Sequence, residues 1–530
     1  MGVMTGGQLV VEALIQMGVK DVFGIPGVHT LEIYDALYHR SGEIQHVVTR
    51  HEGGAGFMAD GYARATGDIG VALVITGPGV TNATTPLGQA FSDSSPVLLI
   101  SSQNETAVVD RDVGALHQLK DQLSVTAGCT AWNRRVERPE DIPQAIFDAV
   151  RFLRTQRPRP VHLEIPLDVL EASVTMTVER PELQAPTAPS ATAVEQAEAL
   201  LKAAERPLIW AGGGALGADV KALAHRLQAP VVTTVAGKGV IPEDDPLALG
   251  NWVRADGFKD VLASTDLVLV LGSELSAIDT DKGTMPFPET LIRVDRVNEP
   301  VRLGYVPRLM IPSDVKPFVE AVLKRLGNHS ISRRPEYLDR ATRLKEDFIK
   351  EQRASGDPMI WAILDVLREA LRPEDIFVGD MTMLSYRAGP NFPVYCPRTY
   401  LFPQGFGTLG WALPAAIGAQ LGRPDRRVIS INGDGGFLFS CNELATAVKY
   451  DLPLVVLILN NECYGVVAQT QKRRYGRTYG TDIVNPDMVA LAKAFGMRAE
   501  RVETTEELKA KLAEGFSAKG PTLLELPVRF

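Results

Sequence analysis

A chain of 530 residues that is 45% hydrophobic is long enough for several domains with cores of their own, and too apolar to be dominated by disorder. Its 55 basic and 64 acidic residues leave a formal net charge of -9, with no basic stripe interleaved with aromatics, which argues against nucleic acid as a partner. No apolar run approaches the ~20 residues that span a bilayer, and the N-terminus has neither the charged nor the apolar region of a signal peptide, so a cytoplasmic protein without a membrane partner is expected. Cys129, Cys396, Cys441 and Cys463 are far apart, form no CxxC and read as reduced thiols.

In chain order, the spacing predicts a helix over Gly6 to Met17, a strand over Asp21 to Gly24 and a turn at Pro26-Gly27. A strand over Ile44 to Arg50 leads into HEGGAGFMADGYARATG, a helix whose small residues permit close packing. Val71 to Thr76 is a strand opening into GPGVTN, followed by a helix to Phe91 and a strand from Pro96 to Ser101. Such alternation is the grammar of an α/β fold. Glu171 to Ala193 has the Pro, Thr and Ala content of a linker. Beyond it, Pro207 to Ala211 is a strand running into Gly212-Gly213-Gly214, with further strands at Pro230 to Thr234 and Leu267 to Leu271. Without GxGxxG and an acidic residue at a following strand end, that glycine turn reads as tight packing. A second, polar and helical connection runs from about Asn328 to Arg353. Domains are therefore expected at 1–170, 194–327 and 357–530.

The last of these carries the most informative stretch, ISINGDGGFLFSCNELATAVKYDLPLVVLILNNECY, from Ile429 to Tyr464. β-branched residues end at Asn432 and are followed by Gly433-Asp434-Gly435-Gly436, where residues lacking a Cβ let the backbone close on a bulky anion. Leu438 to Tyr450 has helical spacing. Pro453 to Leu459 is a near-continuous apolar run, as in a parallel strand covered on both faces, and it stops at Asn460-Asn461. The ends of two parallel strands lie side by side, so Asp434 and Asn461 can face each other across the mouth of the sheet. A carboxylate, an amide oxygen and a backbone carbonyl there suit Mg2+ better than a softer metal.

The N-terminal segment repeats this order. Gly77 and Gly79 precede Gly433 and Gly435 by 356 residues, while Pro96 precedes Pro453, and Gln103-Asn104 precede Asn460-Asn461, by 357. Two related doubly wound domains are implied. The first has Pro78 in place of Asp434 and cannot bind a metal in the same way.

GDG, 24 intervening residues and NN resemble the signature of enzymes dependent on thiamine diphosphate (ThDP, thiamine pyrophosphate). VFGIPGVHTLEIYDAL, RHEGGAGFMADGYAR, TGPGVTN and GFGTLGWALPAAIGAQLG extend the likeness over the whole chain, to the acetolactate synthase and 2-oxoacid decarboxylase branch. The resemblance implies three doubly wound parallel-sheet domains: pyrimidine-binding, middle and diphosphate-binding. By the same implication Asp434, Asn461 and the Cys463 carbonyl bind Mg2+, and Gly433, Gly435, Gly436 and Asn460 lie at the diphosphate. Leu409 forces the bent conformation of the cofactor, and the Gly407 carbonyl accepts from its 4'-amino group. Glu52, at the carboxyl end of its strand, is the acid that supports removal of the C2 proton.

The expected reaction is decarboxylation of a 2-oxoacid through a C2 carbanion and enamine, a lyase activity that releases an aldehyde or passes the enamine to an acceptor carbonyl. Carboligation of the acetolactate synthase type, a transferase activity, is the alternative, and a ThDP-binding protein without turnover is a third reading. Gln118 falls where acetolactate synthases carry an active-site Gln, and His117 replaces their Phe. Val28, His29, His117 and Val466 are the expected substrate pocket. GIPGVHT and PQGFGTLGW are similar to 5-guanidino-2-oxopentanoate decarboxylases, yet Val466-Val467 stand where those proteins carry an acidic residue. FAD is not expected, because Ser273-Glu274-Leu275-Ser276-Ala277 lacks both arginines of the flavin-binding segment. The family also implies a dimer with shared active sites, and usually a homotetramer.

Overall fold

A computed structural model of the chain describes residues 2–529 apart from 183, 254–256, 300, 302, 328–330, 332 and 334. Asn328, the expected start of the second connection, is therefore outside the described residues, as are the terminal residues of the first and third expected domains. The chain divides into two compact units: Met1–Gln184 with Ile376–Met381 and Pro403–Pro527, and Ala185–Asp375 with Thr382–Phe402 and Val528–Phe530.

The first unit contains two parallel sheets. In the N-terminal one the strands lie in the order Gln45–Val48, Asp21–Gly24, Gly70–Val74, Val97–Gln103, Val161–Pro166, Trp132–Arg135. In the C-terminal one the unit's strands follow as Ile376–Gly379, Val428–Gly433, Leu454–Asn460, Thr522–Pro527, Arg498–Arg501. From the second strand of the first sheet onward the two orders match step for step, which agrees with the internal repeat. Parallel strands gather their carboxyl ends on one edge, and each sheet so presents one row of turns.

Helices Glu52–Thr66 and Ala412–Gly422 join the two sheets. They cross so closely that a Cβ on Gly61 would stand 2.1 Å from the Ala415 carbonyl oxygen, and one on Gly418 2.0 Å from that of Met58. The small residues of the first helix thus serve the packing expected of them. Arg64 sits at this crossing, bonded to the buried Asp60 at 2.8 Å and to Asp93 at 2.9 Å, while the Trp411 indole donates to Asp60 at 2.8 Å.

Several elements differ from their sequence expectation. The strand predicted to reach Arg50 ends at Val48. Within the stretch read as linker, Ser173–Met176 pairs antiparallel with Gly2–Thr5, a contact between distant segments that local patterning does not report. The helix predicted over Leu438 to Tyr450 is instead a 3-10 turn Cys441–Glu443 and a helix Leu444–Lys449, preceded by a separate short turn of helix Asp434–Phe437. Ser440, at φ -140°, leaves the helical region there.

The second unit holds the middle sheet, ordered Ala248–Gly250, Val231–Thr233, Pro207–Ala211, Leu267–Leu271, Thr290–Asp295, Leu309–Pro312. Its glycine turn packs on the neighbouring strand end. The Gly212 amide donates to the Leu271 carbonyl at 2.9 Å, and a Cβ on Gly212 would lie 2.3 Å from the Gly272 carbonyl oxygen. Among the described residues no helix is long and apolar enough to cross a membrane.

Candidate functional site

The carboxyl edge of the N-terminal sheet collects the first set of expected residues. Glu52 opens helix Glu52–Thr66, is half-buried, and accepts from the Asn82 amide at 3.0 Å. His51 caps that helix by accepting the Gly53 amide at 2.9 Å. His29, in the 3-10 turn after strand Asp21–Gly24, is buried, whereas Val28 beside it is exposed.

His29 and His117 bring their rings to 5.5 Å, and the Nδ1 atoms of both are buried with no hydrogen-bond partner among the described residues. Burial first, and His117 second, hold His29 below its ordinary pKa, against the opposing effects of Asn104 and Glu105. Neutral imidazoles with a free nitrogen can donate or accept a proton. Gln118 does not face this pair: its amide is turned into its own loop, accepting from the Ala115 amide at 2.9 Å and donating to the Arg111 carbonyl.

A buried network that the sequence did not disclose holds these turns. Gln122 accepts from the Thr76 hydroxyl at 2.7 Å and the Gly77 amide at 2.8 Å, and donates to Glu164 at 3.0 Å. Arg135 ties Glu164 at 2.6 Å to Asp110 at 2.9 Å, in the loop leading to His117. These residues come from separate strands and loops, and only the fold makes them neighbours.

At the C-terminal sheet, Gly433 pairs with Leu459, so Asp434 and Asn460 emerge side by side. Asp434 is 1% exposed, and burial raises its carboxyl above the ordinary range. Asn485 links the two turns, donating to Asp434 at 2.7 Å and to the Asn460 side-chain oxygen at 3.0 Å. Asn460 in turn donates to the buried Glu525 at 2.7 Å. Its amide thereby orders the turn that presents Asn461 and the Cys463 backbone. Glu462 between them has φ +53°, a strained conformation of the kind found where a turn must aim its groups. Val466 is half-buried in the first turn of helix Gly465–Tyr475.

The loop carrying Gly407 and Leu409 is built from both sheets. Asp380, at the end of strand Ile376–Gly379, accepts the Gly410 amide at 2.9 Å and the Met381 amide at 2.8 Å, and burial pushes its carboxyl up to about 6. From the N-terminal side, Asp93 accepts the Gly405 amide at 2.7 Å and Gln89 the Thr408 amide at 3.2 Å. Gly407 has φ +74° and Leu409 is half-buried.

The groups expected to hold a cation here, the Asp434 carboxylate, the Asn461 amide and the Cys463 carbonyl, offer only oxygens, the donor type a hard cation takes. Among the described residues no group of three His, Cys, Asp or Glu forms a competing metal site. The buried Asn485 Oδ1 has no partner among the described residues, a further polar atom left at this edge. Among the described residues no hydrogen bond joins Glu52 to the Asp434 turn.

Models of the thiamine pyrophosphate enzyme match along the chain: its N-terminal TPP binding domain at residues 4–125, its central domain at 194–322 and its C-terminal TPP binding domain at 378–526. A probable 2-ketoarginine decarboxylase, AruI, of Pseudomonas aeruginosa is 42% identical over 529 residues, covering 99% of this chain and 94% of that protein. A probable acetolactate synthase large subunit of Methanocaldococcus jannaschii is 35% identical over 99% of this chain and 92% of its own length. The acetolactate synthase isozyme 1 large subunit of Escherichia coli is 31% identical over 99% and 94%.

Proposed function

The chain belongs to the thiamine pyrophosphate enzyme family, and from that premise we propose that it is a Mg2+-dependent 2-oxoacid decarboxylase. The observation that carries the reading is the pair of edges just described: half-buried Glu52 on one sheet, and the all-oxygen turn of Asp434, Asn461 and Cys463 on the other.

Asp434, Asn461 and the Cys463 carbonyl would hold Mg2+, and the turn at Gly433, Gly435 and Gly436 would meet the diphosphate with Asn460 ordering its far side. Gly407 and Leu409 would carry the pyrimidine. Bound ThDP supplies the electron sink that allows the substrate carboxylate to leave as CO2. Glu52 would set its carboxyl at the pyrimidine to exchange a proton there, and His29 and His117 would exchange protons with the substrate through their unbonded nitrogens. Val28 and Val466 flank the substrate chain.

The acid is proposed to carry an uncharged chain, since Val466 and Val467 open helix Gly465–Tyr475 without a carboxylate to meet a guanidinium. The similarity to a 2-ketoarginine decarboxylase makes the guanidino acid the necessary comparison. Membership of that family is what supports reading the protein as a homo-oligomer, a dimer sharing its sites and assembling to a tetramer, in the cytoplasm. Light scattering of the purified protein reads its mass directly.

CO2 release from pyruvate and from branched, aromatic, acidic and guanidino 2-oxoacids, with and without ThDP and Mg2+, tests the reading. Cofactor-dependent release from one of them is expected, with an aldehyde as product. No release from any, with ThDP bound, would overturn it. The acetolactate synthase relatives favour carboligation as the second reading, without a required FAD, and it would appear as a hydroxyketone.

His117→Phe separates the two. Losing one of the two buried imidazole nitrogens is expected to lower aldehyde release by about 10-fold or more, a modest share of what a proton-transfer group supplies. The hydroxyketone share of the product should rise. An unchanged rate and product ratio would remove His117 from the pocket.

A further inference from the structure

Glu443 is fully buried, and its carboxylate crosses from the C-terminal sheet's helices to the turn that carries Glu52. Its two oxygens accept the Arg50 amide at 3.1 and 3.2 Å. The His51 amide also donates to it. Arg50 and His51 are the two residues immediately before Glu52, and His51 is the helix cap.

The carboxylate is itself fixed. Thr446 donates to it at 2.7 Å and Asn442 at 3.3 Å. Space for it exists because residue 54 has no side chain: a Cβ there would stand 2.2 Å from the Glu443 oxygen. The grip continues along the preceding strand. The Tyr450 hydroxyl accepts the Val48 amide at 2.8 Å and donates to the His46 carbonyl at 3.2 Å.

Burial pushes the Glu443 carboxyl up to about 7, opposed by these donors and by the Arg50 charge. A carboxylate held in so unfavourable a place could be replaced by an apolar residue if packing were its only task. What an apolar residue could not do is accept two successive backbone N–H groups at a helix start. Glu443 also belongs to the same connection as Asp434, following it through the short turn and the Ser440 break.

We propose that Glu443 is a positioning residue, which locks the Arg50-His51 backbone so that the Glu52 carboxyl is presented at one fixed place; this rests on the role read above for Glu52. It ties the orientation of the acid to the connection that begins at the Asp434 turn of the same chain. The break in the helix predicted over Leu438 to Tyr450 is what brings Glu443 to this position.

The test compares wild type, Glu443→Gln, Glu52→Gln and the double variant. The readouts are kcat, ThDP affinity by calorimetry, Tm, and the rate of deuterium exchange at C2 of bound ThDP after acid quench. Gln keeps the size of Glu443 but places an N–H2 group among the backbone donors. Glu443→Gln is expected to slow kcat and exchange together by about 10- to 100-fold, the scale of a misplaced catalytic group. ThDP affinity should stay within about 3-fold, and the double variant should be no slower than Glu52→Gln alone.

Unchanged exchange in Glu443→Gln, or effects that multiply in the double variant, would overturn the proposal. So would losses of Tm and ThDP affinity that account for the drop in kcat. Wild-type exchange in Glu52→Gln would instead remove the role read for Glu52. Thr446→Val removes the hydroxyl that donates to Glu443 at 2.7 Å and reaches the Val48 carbonyl at 3.3 Å, and is expected to slow exchange by a few fold. It carries the same readings if Glu443→Gln does not fold.

Discussion

Glu52→Gln is expected to lower kcat by about 10²- to 10⁴-fold, the range supplied by a positioned acid or base, while ThDP affinity changes by less than about 3-fold. In energy this is roughly 3–5 kcal/mol of transition-state stabilisation. The variant keeps the length of the side chain, its place at the first residue of helix Glu52–Thr66 and an oxygen for the Asn82 amide to reach. What it loses is the ability of a carboxyl to give up and take back a proton. A competing account makes Glu52 an acidic partner for the helix dipole. That account predicts a loss of about 0.3–1 kcal/mol in stability and no loss of turnover. The two differ by orders of magnitude in kcat, so a steady-state rate with a melting curve decides between them. Undiminished turnover would remove Glu52 from the chemistry.

Asp434→Ala is expected to weaken Mg2+ and ThDP binding together. The loss should exceed the roughly 10- to 100-fold that follows from removing even an outer partner of a metal ligand. Asp434 is the one carboxylate in the proposed donor set. The variant also removes one of the two acceptors of the Asn485 amide and leaves it the Asn460 oxygen. Stability should hold, because a buried carboxyl whose ionised form is disfavoured contributes little to the folded state. Asp434→Asn, which keeps the shape, should lose affinity to a similar degree if charge on the cation is what matters. Calorimetric titration of Mg2+ in the presence of ThDP reads both variants. Wild-type ThDP affinity in Asp434→Ala would take Asp434 out of the site.

The parts of the site that could be read from the chain are those whose meaning is local. Gly433 to Gly436 announce a turn that closes on an anion, and the polar pair Asn460-Asn461 marks where an apolar strand stops. Glu52 opens the helix that comes after a strand. The repeat spacing between the two Gly-rich turns correctly foretold two sheets of matching order. Gln118 shows the limit of position alone: its place in the sequence matches an active-site Gln of acetolactate synthases, but its amide satisfies the Arg111 and Ala115 backbone of its own loop.

What periodicity and motif determined, then, is the set of three parallel-sheet domains, the strand ends where chemistry belongs and the cofactor class, because each depends on residues within one βαβ unit. Which side chains meet was decided by the tertiary structure. Asn485 lies 51 residues beyond Asp434, Glu443 lies 393 beyond Arg50, and the Gln122 network draws on separate strands and loops. No local pattern encodes such pairings. They arise when buried polar groups must find partners once the sheets are packed, and a partner can be supplied from anywhere in the chain that the fold brings within 3 Å or so.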